Sequence, residues 1–351
     1  MGLVKPWVAG AGKATVDLTV MGAGVFGLSV AYVCARRGAR VRVIDPGGVG
    51  AGASGGIVGA LAPHVPESWS DKKAFQLDSL LMAADWWAGV EHRSGLPTGY
   101  ARTGRLQPVT DAGLDLAHER GAASRDLWRG RAVWRVVPVA DHPIWAPVSP
   151  SGWLIHDDLT ALIHPRRAVL ALAGAIRALG SEILPHGPAE GPVLWATGHA
   201  GLTEVPGLGA GEKGQAALLS YNAANQPQLF ADGLHLVPHG DGTVAVGSTS
   251  ERVWSDPAST DAALDDLIAR ARHTFPMLAA APVLERWAGI RPRSSSRSPV
   301  LGVHPLHPAA FIANGGFKIG FGIAPKVGEV MADLILNGVD SIPEGFRANQ
   351  P

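Results

Sequence analysis

Three glycines and one aspartate near the start of the chain have the types and spacing needed to bind a dinucleotide. Gly22, Gly24 and Gly27 form a G-x-G-x-x-G turn, and Asp45 follows them. In such a turn the first glycine permits a tight bend, the second lets the backbone approach a pyrophosphate, and the third lets the next helix pack closely on the strand. The N–H groups that open that helix face the phosphates, and a carboxylate at the end of the next strand accepts the ribose hydroxyls.

The segments around this turn match the elements that such a site requires. Leu18–Met21 is apolar and partly β-branched, which predicts a strand. Residues 25–37 are apolar around most of their circumference and precede Gly38, which predicts a buried helix that ends at a glycine. Residues 40–45 predict a second strand, with Asp45 at its C-terminal end. A lone glycine turn is a weak signal, whereas this turn between two strands is a specific one.

The rest of the chain alternates between segments that would extend a nucleotide-binding sheet and segments that lie elsewhere. Residues 68–136 are predicted to be helical and rich in tryptophan, with a stripe that packs on a sheet, formed by Leu77, Leu80, Leu81, Ala84 and Ala88. Glycine-rich residues 207–211 are predicted to be a loop. The other predictions are a helix at 165–179, a buried strand within 192–198, a hairpin at 234–247, a helix from a Thr260 cap to Thr274, and a last helix that is striped from Val327 to Ile335 and closed by Gly338.

The composition fits a globular enzyme with two interleaved domains. The chain has 351 residues, and its 30 basic and 30 acidic residues cancel, which argues against a polyanionic partner or a membrane surface. Cys34 is the only cysteine, so an intrachain disulfide is excluded, and we predict a reducing, cytoplasmic location. Residues 14–35 are apolar, but Asp17 and the turn glycines argue against a membrane span. The histidines lack metal-ligand spacing, so no metal site is predicted.

Five segments resemble, in order, the motifs of the D-amino-acid oxidase superfamily of FAD-dependent oxidoreductases, which includes glycine oxidase and sarcosine oxidase. The segments are residues 22–27 with Asp45, 52–56, 196–198, 287–292 and 315–320. The resemblance implies an α/β fold, with a Rossmann-like FAD-binding domain and an interleaved α+β substrate domain built on a mainly antiparallel sheet. The implied boundaries are 1–80, 145–212 and 289–351 for the FAD-binding domain, and 81–144 and 213–288 for the substrate-binding domain.

The resemblance also implies FAD rather than NAD, a choice that the glycine turn alone leaves open. Residues 52–56 are nearly free of side chains, so their backbone can lie close to the cofactor, with Ser54 as a hydroxyl donor. The turn before the last helix can aim N–H groups at the flavin pyrimidine edge, where they favour the reduced form. FAD is expected to be noncovalent unless a histidine attaches it, because no cysteine lies in the C-terminal third. The predicted cofactor-binding residues are Gly22, Gly24, Val25, Phe26, Gly27, Asp45, Ala53, Ser54, Gly55, Thr197, Gly198, Gly315, Gly316, Phe317, Lys318 and Ile319.

Two basic residues are the predicted catalytic residues. In glycine and D-amino-acid oxidases, the arginine of the motif that resembles residues 289–292 binds the substrate carboxylate, and this implies the same role for Arg291. A guanidinium suits that role because it makes two parallel hydrogen bonds to a carboxylate. Lys318 matches a lysine of the sarcosine oxidase branch that helps to hold the carboxylate beside the flavin. It could also stabilise the reduced flavin, or be a plain surface lysine.

These features imply an FAD-dependent amino-acid or amine oxidase or dehydrogenase, which converts the C–N bond of a small substrate to an imine by hydride transfer to flavin N5. The substrate could be glycine, sarcosine, a D-amino acid or a cyclic imino acid, and the oxidant could be O2 or another acceptor. Homo-oligomerisation is possible. The alternative is an FAD-binding subunit of a multi-subunit amine dehydrogenase, without turnover of its own.

Other residues have two interpretations each. His64 could approach the flavin but is more typical of a rim residue. Four tryptophans could line a pocket, although such residues usually belong to the core: Trp128, Trp134, Trp145 and Trp153. Arg291, Arg293 and Arg297, with the serines at 294–296, form a candidate phosphate-binding patch, but the neutral net charge argues against nucleic acid.

Overall fold

The computed structural model describes residues 16–348, which form two large β-sheets, a two-stranded sheet and the helices that cover them. The strands are β1 (Leu18–Met21), β2 (Val41–Ile44), β3 (Ala60–Leu61), β4 (Arg105–Pro108), β5 (Trp134–Pro138), β6 (Trp153–Asp157), β7 (Ala161–Leu162), β8 (Glu182–Leu184), β9 (Val193–Trp195), β10 (Gly209–Ser220), β11 (Gln228–Ala231), β12 (Leu234–Pro238), β13 (Thr243–Gly247), β14 (Val283–Ser294), β15 (Val300–Val303) and β16 (Ala310–Asn314). The α-helices are α1 (Val25–Arg36), α2 (Asp71–Ser94), α3 (Leu114–Leu127), α4 (Pro165–Ala178), α5 (Gly198–Glu204), α6 (Ala262–Thr274) and α7 (Gly320–Asn337).

The predicted strand, glycine turn, helix and second strand are confirmed as β1, α1 and β2. The turn requires its glycines, because Gly22 has a φ of +111° and a Cβ on it would lie 2.4 Å from the carbonyl oxygen of Ala196. A Cβ on Gly27 would lie 2.1 Å from the carbonyl oxygen of Gly22. Only glycine at position 27 therefore lets α1 pack so closely on the turn.

These elements lie within the six-stranded sheet, which we call the nucleotide sheet. Its order is β15-β16-β9-β1-β2-β8, and all neighbours are parallel except β15 and β16. Helices α1, α2, α4 and α7 pack together over its buried strands. The carboxyl ends of β1, β2 and β9 therefore lie side by side, which is where ligands bind in open α/β sheets.

The eight-stranded sheet, the large sheet, has the order β14-β10-β13-β12-β11-β4-β6-β5. It is antiparallel except where β11 pairs with β4. Alternate residues give it two different faces. Ala217, Val246 and Leu236 belong to the core that includes α6, whereas Ala216 and Ala245 pack with Ile57 near the nucleotide sheet. The α/β fold class with a mainly antiparallel second sheet is thus confirmed.

The helical prediction for residues 68–136 is only partly right, because strands β4 and β5 lie inside that range. Gly95, Gly99 and Gly104 adopt positive φ values, which end α2 and turn the chain into β4. Along α2, Leu77 and Leu80 of the predicted stripe are buried, but Ala84 and Ala88 are exposed. The buried face continues instead through Ala83, Trp87 and Val90.

Two further predictions need correction, and the others hold. The predicted loop at 207–211 is wrong for residues 209–211, because β10 begins at Gly209; a Cβ there would lie 2.5 Å from the carbonyl oxygen of Arg293 on the paired strand. The cap of α6 is Asp261 rather than Thr260, since its carboxylate accepts the Ala263 N–H. The helix at 165–179, the strand within 192–198, the hairpin β12–β13 and the Gly338 cap of α7 are confirmed.

None of the helices within residues 16–348 combines the length and the apolar character needed to cross a membrane. The residue boundaries given for the two domains stay a prediction.

Candidate active site

One cavity of about 430 Å³ brings most of the predicted site residues together. It extends from the carboxyl ends of β1 and β2 to the face of the large sheet that carries Arg291. The predicted residues that line it are Gly22, Gly24, Val25, Phe26, Asp45, Ala53, Ser54, Thr197, Gly198, Arg291, Gly315, Gly316, Phe317 and Lys318. Three do not line it: Gly27, Gly55 and Ile319. Gly27 and Gly55 instead allow close backbone packing, since a Cβ on Gly55 would lie 2.3 Å from the carbonyl oxygen of Gly50.

At the end of the cavity near β1, polar groups surround the glycine turn. Asp45 follows β2, and its two carboxylate oxygens accept hydrogen bonds from Ala23 N at 2.7 Å and Gly47 N at 2.9 Å. Each oxygen can accept more than one hydrogen bond, so the carboxylate keeps acceptors for hydroxyl groups. Ser54 Oγ accepts the first N–H of α1, from Val25, at 2.9 Å. Thr197 Oγ1 is buried without a hydrogen-bond partner among the described residues.

The turn at residues 314–319 connects both sheets to α7. Asn314 is buried; its side chain donates to the carbonyl oxygen of Gly198 at 2.8 Å and accepts the Gly315 N–H at 2.8 Å. Phe317 has a φ of +43°, and its N–H donates to the carbonyl oxygen of Pro292 on β14 at 3.2 Å. A Cβ on Gly316 would lie 2.8 Å from the ring of Phe26. The turn therefore places the N-terminus of α7 beside α1 and β14.

At the other end of the cavity, Gly214 makes room for Arg291. Gly214 on β10 pairs with Gly289 on β14, and a Cβ on Gly214 would lie only 1.9 Å from Arg291 Nη2. The guanidinium therefore lies flat on the sheet. Both Nη atoms donate to the carbonyl oxygen of Thr249 at 3.2 Å, and Nη2 also donates to Ser248 Oγ.

Arg291 is a buried cation with N–H groups that make no hydrogen bond within residues 16–348. Its burial lowers the pKa, while the nearby carboxylates of Glu212 and Glu251 raise it. An arginine pKa starts so high that the group stays charged. Its five N–H groups exceed the hydrogen bonds that it makes within residues 16–348, so it can bind an anion.

Lys318 lines the same cavity and is exposed. Its Nζ lies 5.4 Å from the centre of the Phe317 ring, and it makes no ion pair within the described range. Partial desolvation and the neighbouring Arg291 cation lower its pKa, against the opposite effect of Glu212. Two cationic groups therefore face one end of the cavity.

The chain matches the family model described as FAD-dependent oxidoreductase over residues 17–334. It belongs to this family. The bifunctional protein ThiO/ThiG of Nostoc sp. is 26% identical over 92% of this chain, which spans only 53% of that protein. This chain thus spans about half the length of the bifunctional relatives that it matches. The glycine oxidase of Geobacillus kaustophilus is 24% identical over 91% of this chain and 92% of its own. The crystal structure of glycine oxidase from that organism has a TM-score of 0.82 at 20% identity, covering 96% of this chain and 99% of its own.

FAD is the cofactor of this oxidoreductase, and it is noncovalent. The only cysteine, Cys34, is fully buried within α1, does not line the cavity, and has a pKa raised to about 12 by burial. The cavity lining fits a dinucleotide because it combines the glycine turn, the Asp45 carboxylate after β2, and Thr197, whose buried Oγ1 has no hydrogen-bond partner among the described residues.

Sequence reasoning missed several residues of the cavity wall. His235 on β12 faces the cavity; desolvation lowers its pKa to about 3, so the imidazole is neutral, and Nδ1 has no hydrogen-bond partner among the described residues. Ser248 and Asn314 also line the wall. The alternation of β12 could have shown that His235 and Val237 share a face, but not that this face meets a cofactor cavity.

Other singled-out residues lie elsewhere. His64 does not line the cavity, and its backbone N–H donates to the Gln76 side chain at 2.9 Å. Trp128, Trp134 and Trp145 are buried in the cores, whereas Trp153 is 41% exposed. The candidate phosphate patch is not continuous, because Arg291 is buried at the cavity while Arg297 is exposed.

Proposed function

We propose that this FAD-dependent oxidoreductase oxidises the C–N bond of a small amino acid to an imine, which water then hydrolyses. One observation carries the proposal: the buried guanidinium of Arg291 faces the same cavity as the glycine turn and Asp45. Such an arrangement suits a substrate that has a carboxylate at one end and a reactive C–N bond at the other.

Arg291 binds the carboxylate and fixes the plane of the substrate. Its partners at Ser248 and Thr249 hold the guanidinium in one orientation, so a carboxylate that forms two hydrogen bonds with it is oriented as well. Lys318 adds a second positive charge to this end of the cavity. Two cations disfavour an ammonium group nearby, so the amine binds in its neutral form. Bound FAD would supply the hydride acceptor, N5 of the flavin.

The cofactor is held by the residues around the glycine turn. The N–H groups that open α1 would face the pyrophosphate, and Asp45 would accept the ribose hydroxyls. Residues 53–54, 197–198 and 315–318 line the same cavity and would hold the rest of the cofactor.

The relatives named glycine oxidase support glycine or a similar small amino acid as the substrate. Sarcosine, D-amino acids and cyclic imino acids belong to the same chemical class, and O2 or another acceptor reoxidises the flavin. The cytoplasmic location stays a prediction from the cysteine content.

Anaerobic mixing of the holoenzyme with a panel of these amino acids tests the proposal. Loss of the flavin absorption near ~450 nm with at least one of them is the expected result. A protein that binds FAD but reacts with none of them, at any substrate concentration, would instead support the noncatalytic FAD-binding subunit. Ethylamine serves as the matched amine without a carboxylate, and it should react far more slowly than the best amino acid.

A further inference from the structure

Gln215 is a fully buried amide behind the wall that carries Arg291. It lies on β10 between Gly214, which faces the Arg291 guanidinium, and Ala216, which lines the cavity. Because side chains alternate along a strand, Gln215 points to the opposite face of the sheet, toward the start of α6. It therefore does not touch the cavity.

The side-chain amide of Gln215 uses both its donor and its acceptor atoms. Nε2 donates to Glu251 Oε1 at 3.0 Å and to Asp261 Oδ1 at 2.8 Å, and Oε1 accepts the Asp261 N–H at 2.9 Å. Asp261 is the N-cap of α6. Gln215 thus makes hydrogen bonds to both ends of the segment between β13 and α6.

The backbone of Gln215 continues this network to Thr249. Gln215 N donates to Thr249 Oγ1 at 2.7 Å, and its carbonyl oxygen accepts the Thr249 N–H at 3.1 Å. Thr249 Oγ1 in turn donates to Glu251 Oε1 at 2.5 Å. Thr249 carries the carbonyl oxygen that accepts both Nη atoms of Arg291. A continuous set of hydrogen bonds therefore runs from Gln215 through Thr249 to the guanidinium.

We propose that Gln215 is a positioning residue for substrate: it holds Thr249, and through Thr249 the plane of the Arg291 guanidinium. This inference rests on the proposed function, since it assigns to Arg291 the substrate carboxylate. An amide suits the position because it donates to two carboxylates and accepts one N–H at the same time. A glutamate at position 215 would place a third carboxylate beside those of Glu251 and Asp261, which repel it. A hydrocarbon side chain would leave the Glu251 and Asp261 carboxylates without the N–H groups that Gln215 donates.

The test is Gln215→Met in the holoenzyme, which keeps the size of the side chain and the backbone bonds to Thr249. It removes the side-chain hydrogen bonds, including the one to Glu251 Oε1, the atom that also accepts the Thr249 hydroxyl. We expect FAD content and the flavin spectrum to stay as in the wild type. The dissociation constant of acetate, which has a carboxylate but no amine, should rise about tenfold, the effect of about one lost hydrogen bond. The KM of the best amino acid should rise by a similar factor, with a smaller change in kcat.

Gln228→Met is a matched control. Gln228 is also fully buried in the large sheet, but its amide atoms have no hydrogen-bond partners among the described residues and it does not line the cavity. This variant should bind acetate like the wild type. Should Gln215→Met fail to retain FAD, Thr249→Val is the deciding variant, because it removes the hydroxyl that Gln215 N contacts and keeps the carbonyl group. It should weaken acetate binding in the same direction.

A double-variant comparison separates positioning from general stability. If Gln215 acts through Arg291, adding Gln215→Met to Arg291→Ala should not weaken acetate binding further. Equal acetate affinities in Gln215→Met, Gln228→Met and the wild type would overturn the inference while leaving the proposed function intact. A wild-type holoenzyme that neither binds acetate nor reacts with any amino acid would refute the proposed function itself.

Discussion

Replacing Gly214 with alanine tests the carboxylate site without removing any group that makes a hydrogen bond to substrate. The added Cβ would lie 1.9 Å from Arg291 Nη2. Carbon and nitrogen atoms pack at about 3.5 Å, so the guanidinium must move by about 1.6 Å. The far end of a flexible side chain can move in this way, and Gly214 does not have a positive φ, so the variant should fold and bind FAD.

The displacement predicts a specific kinetic loss. A misplacement of about 1 Å in a substrate-binding group costs roughly 10²-fold in rate. We therefore expect kcat/KM for the best amino acid to fall by at least about 10²-fold, which corresponds to about 2.7 kcal/mol. Steady-state kinetics and an acetate titration measure the loss, and the flavin absorbance per protein confirms that the cofactor is retained.

Gly240→Ala provides the control for a glycine substitution in the same sheet. Gly240 lies in the turn between β12 and β13, and a Cβ there would meet no atom within 4 Å. This variant should behave like the wild type. Wild-type acetate affinity in an FAD-loaded Gly214→Ala would refute the reasoning, because the guanidinium could then not be the carboxylate-binding group.

Three further predictions concern the cofactor and the second cation. Gly22→Ala should yield protein without bound FAD, seen as absent flavin absorption, because its φ of +111° and the 2.4 Å approach of its Cβ to the Ala196 carbonyl group are incompatible with alanine; normal flavin content would contradict the assigned turn. Asp45→Ala should weaken FAD binding by roughly 10- to 100-fold in a fluorescence titration of the apoprotein, because about one or two charge-assisted hydrogen bonds are lost, and an unchanged affinity would exclude the ribose role. Partial desolvation and the neighbouring Arg291 lower the pKa of Lys318, so its charge is lost at a lower pH than that of an ordinary lysine. Acetate affinity should therefore decline with rising pH before the ordinary lysine range is reached, and Lys318→Met should remove that decline; a decline that persists in the variant would assign it to another group.

The dinucleotide unit could be predicted from the sequence because its determinants are local. Gly22, Gly24 and Gly27 impose a backbone path on their own neighbours, and the acid that completes the site follows at the end of the very next strand. Strand pairing in this unit needs only a short helical crossover, so chain order and spatial order agree. Residues 53–54 and 315–318 were found through the family resemblance, because nothing in a glycine-rich turn itself specifies a flavin.

The arginine end of the cavity was decided by tertiary structure. The sequence singled out Arg291, but the space for its guanidinium comes from Gly214 on a paired strand, and its orientation comes from the Thr249 carbonyl group. The network around Gln215 is similarly distributed, since it joins β10 to the start of α6. The error at residues 209–211 has the same origin, because the pairing of Gly209 and Gly211 with β14 cannot be read from the local sequence.

By itself, then, the sequence determined the glycine turn, its acid and the strands and helix around them, because short-range backbone geometry dictates each of these. The pairing of strands that are distant in the chain decided the rest. It determined which face of β12 carries His235 to the cavity, which glycine leaves room for Arg291, and which carbonyl group orients the Arg291 guanidinium. Register across a sheet places such residues side by side, and no local pattern within one strand contains that information.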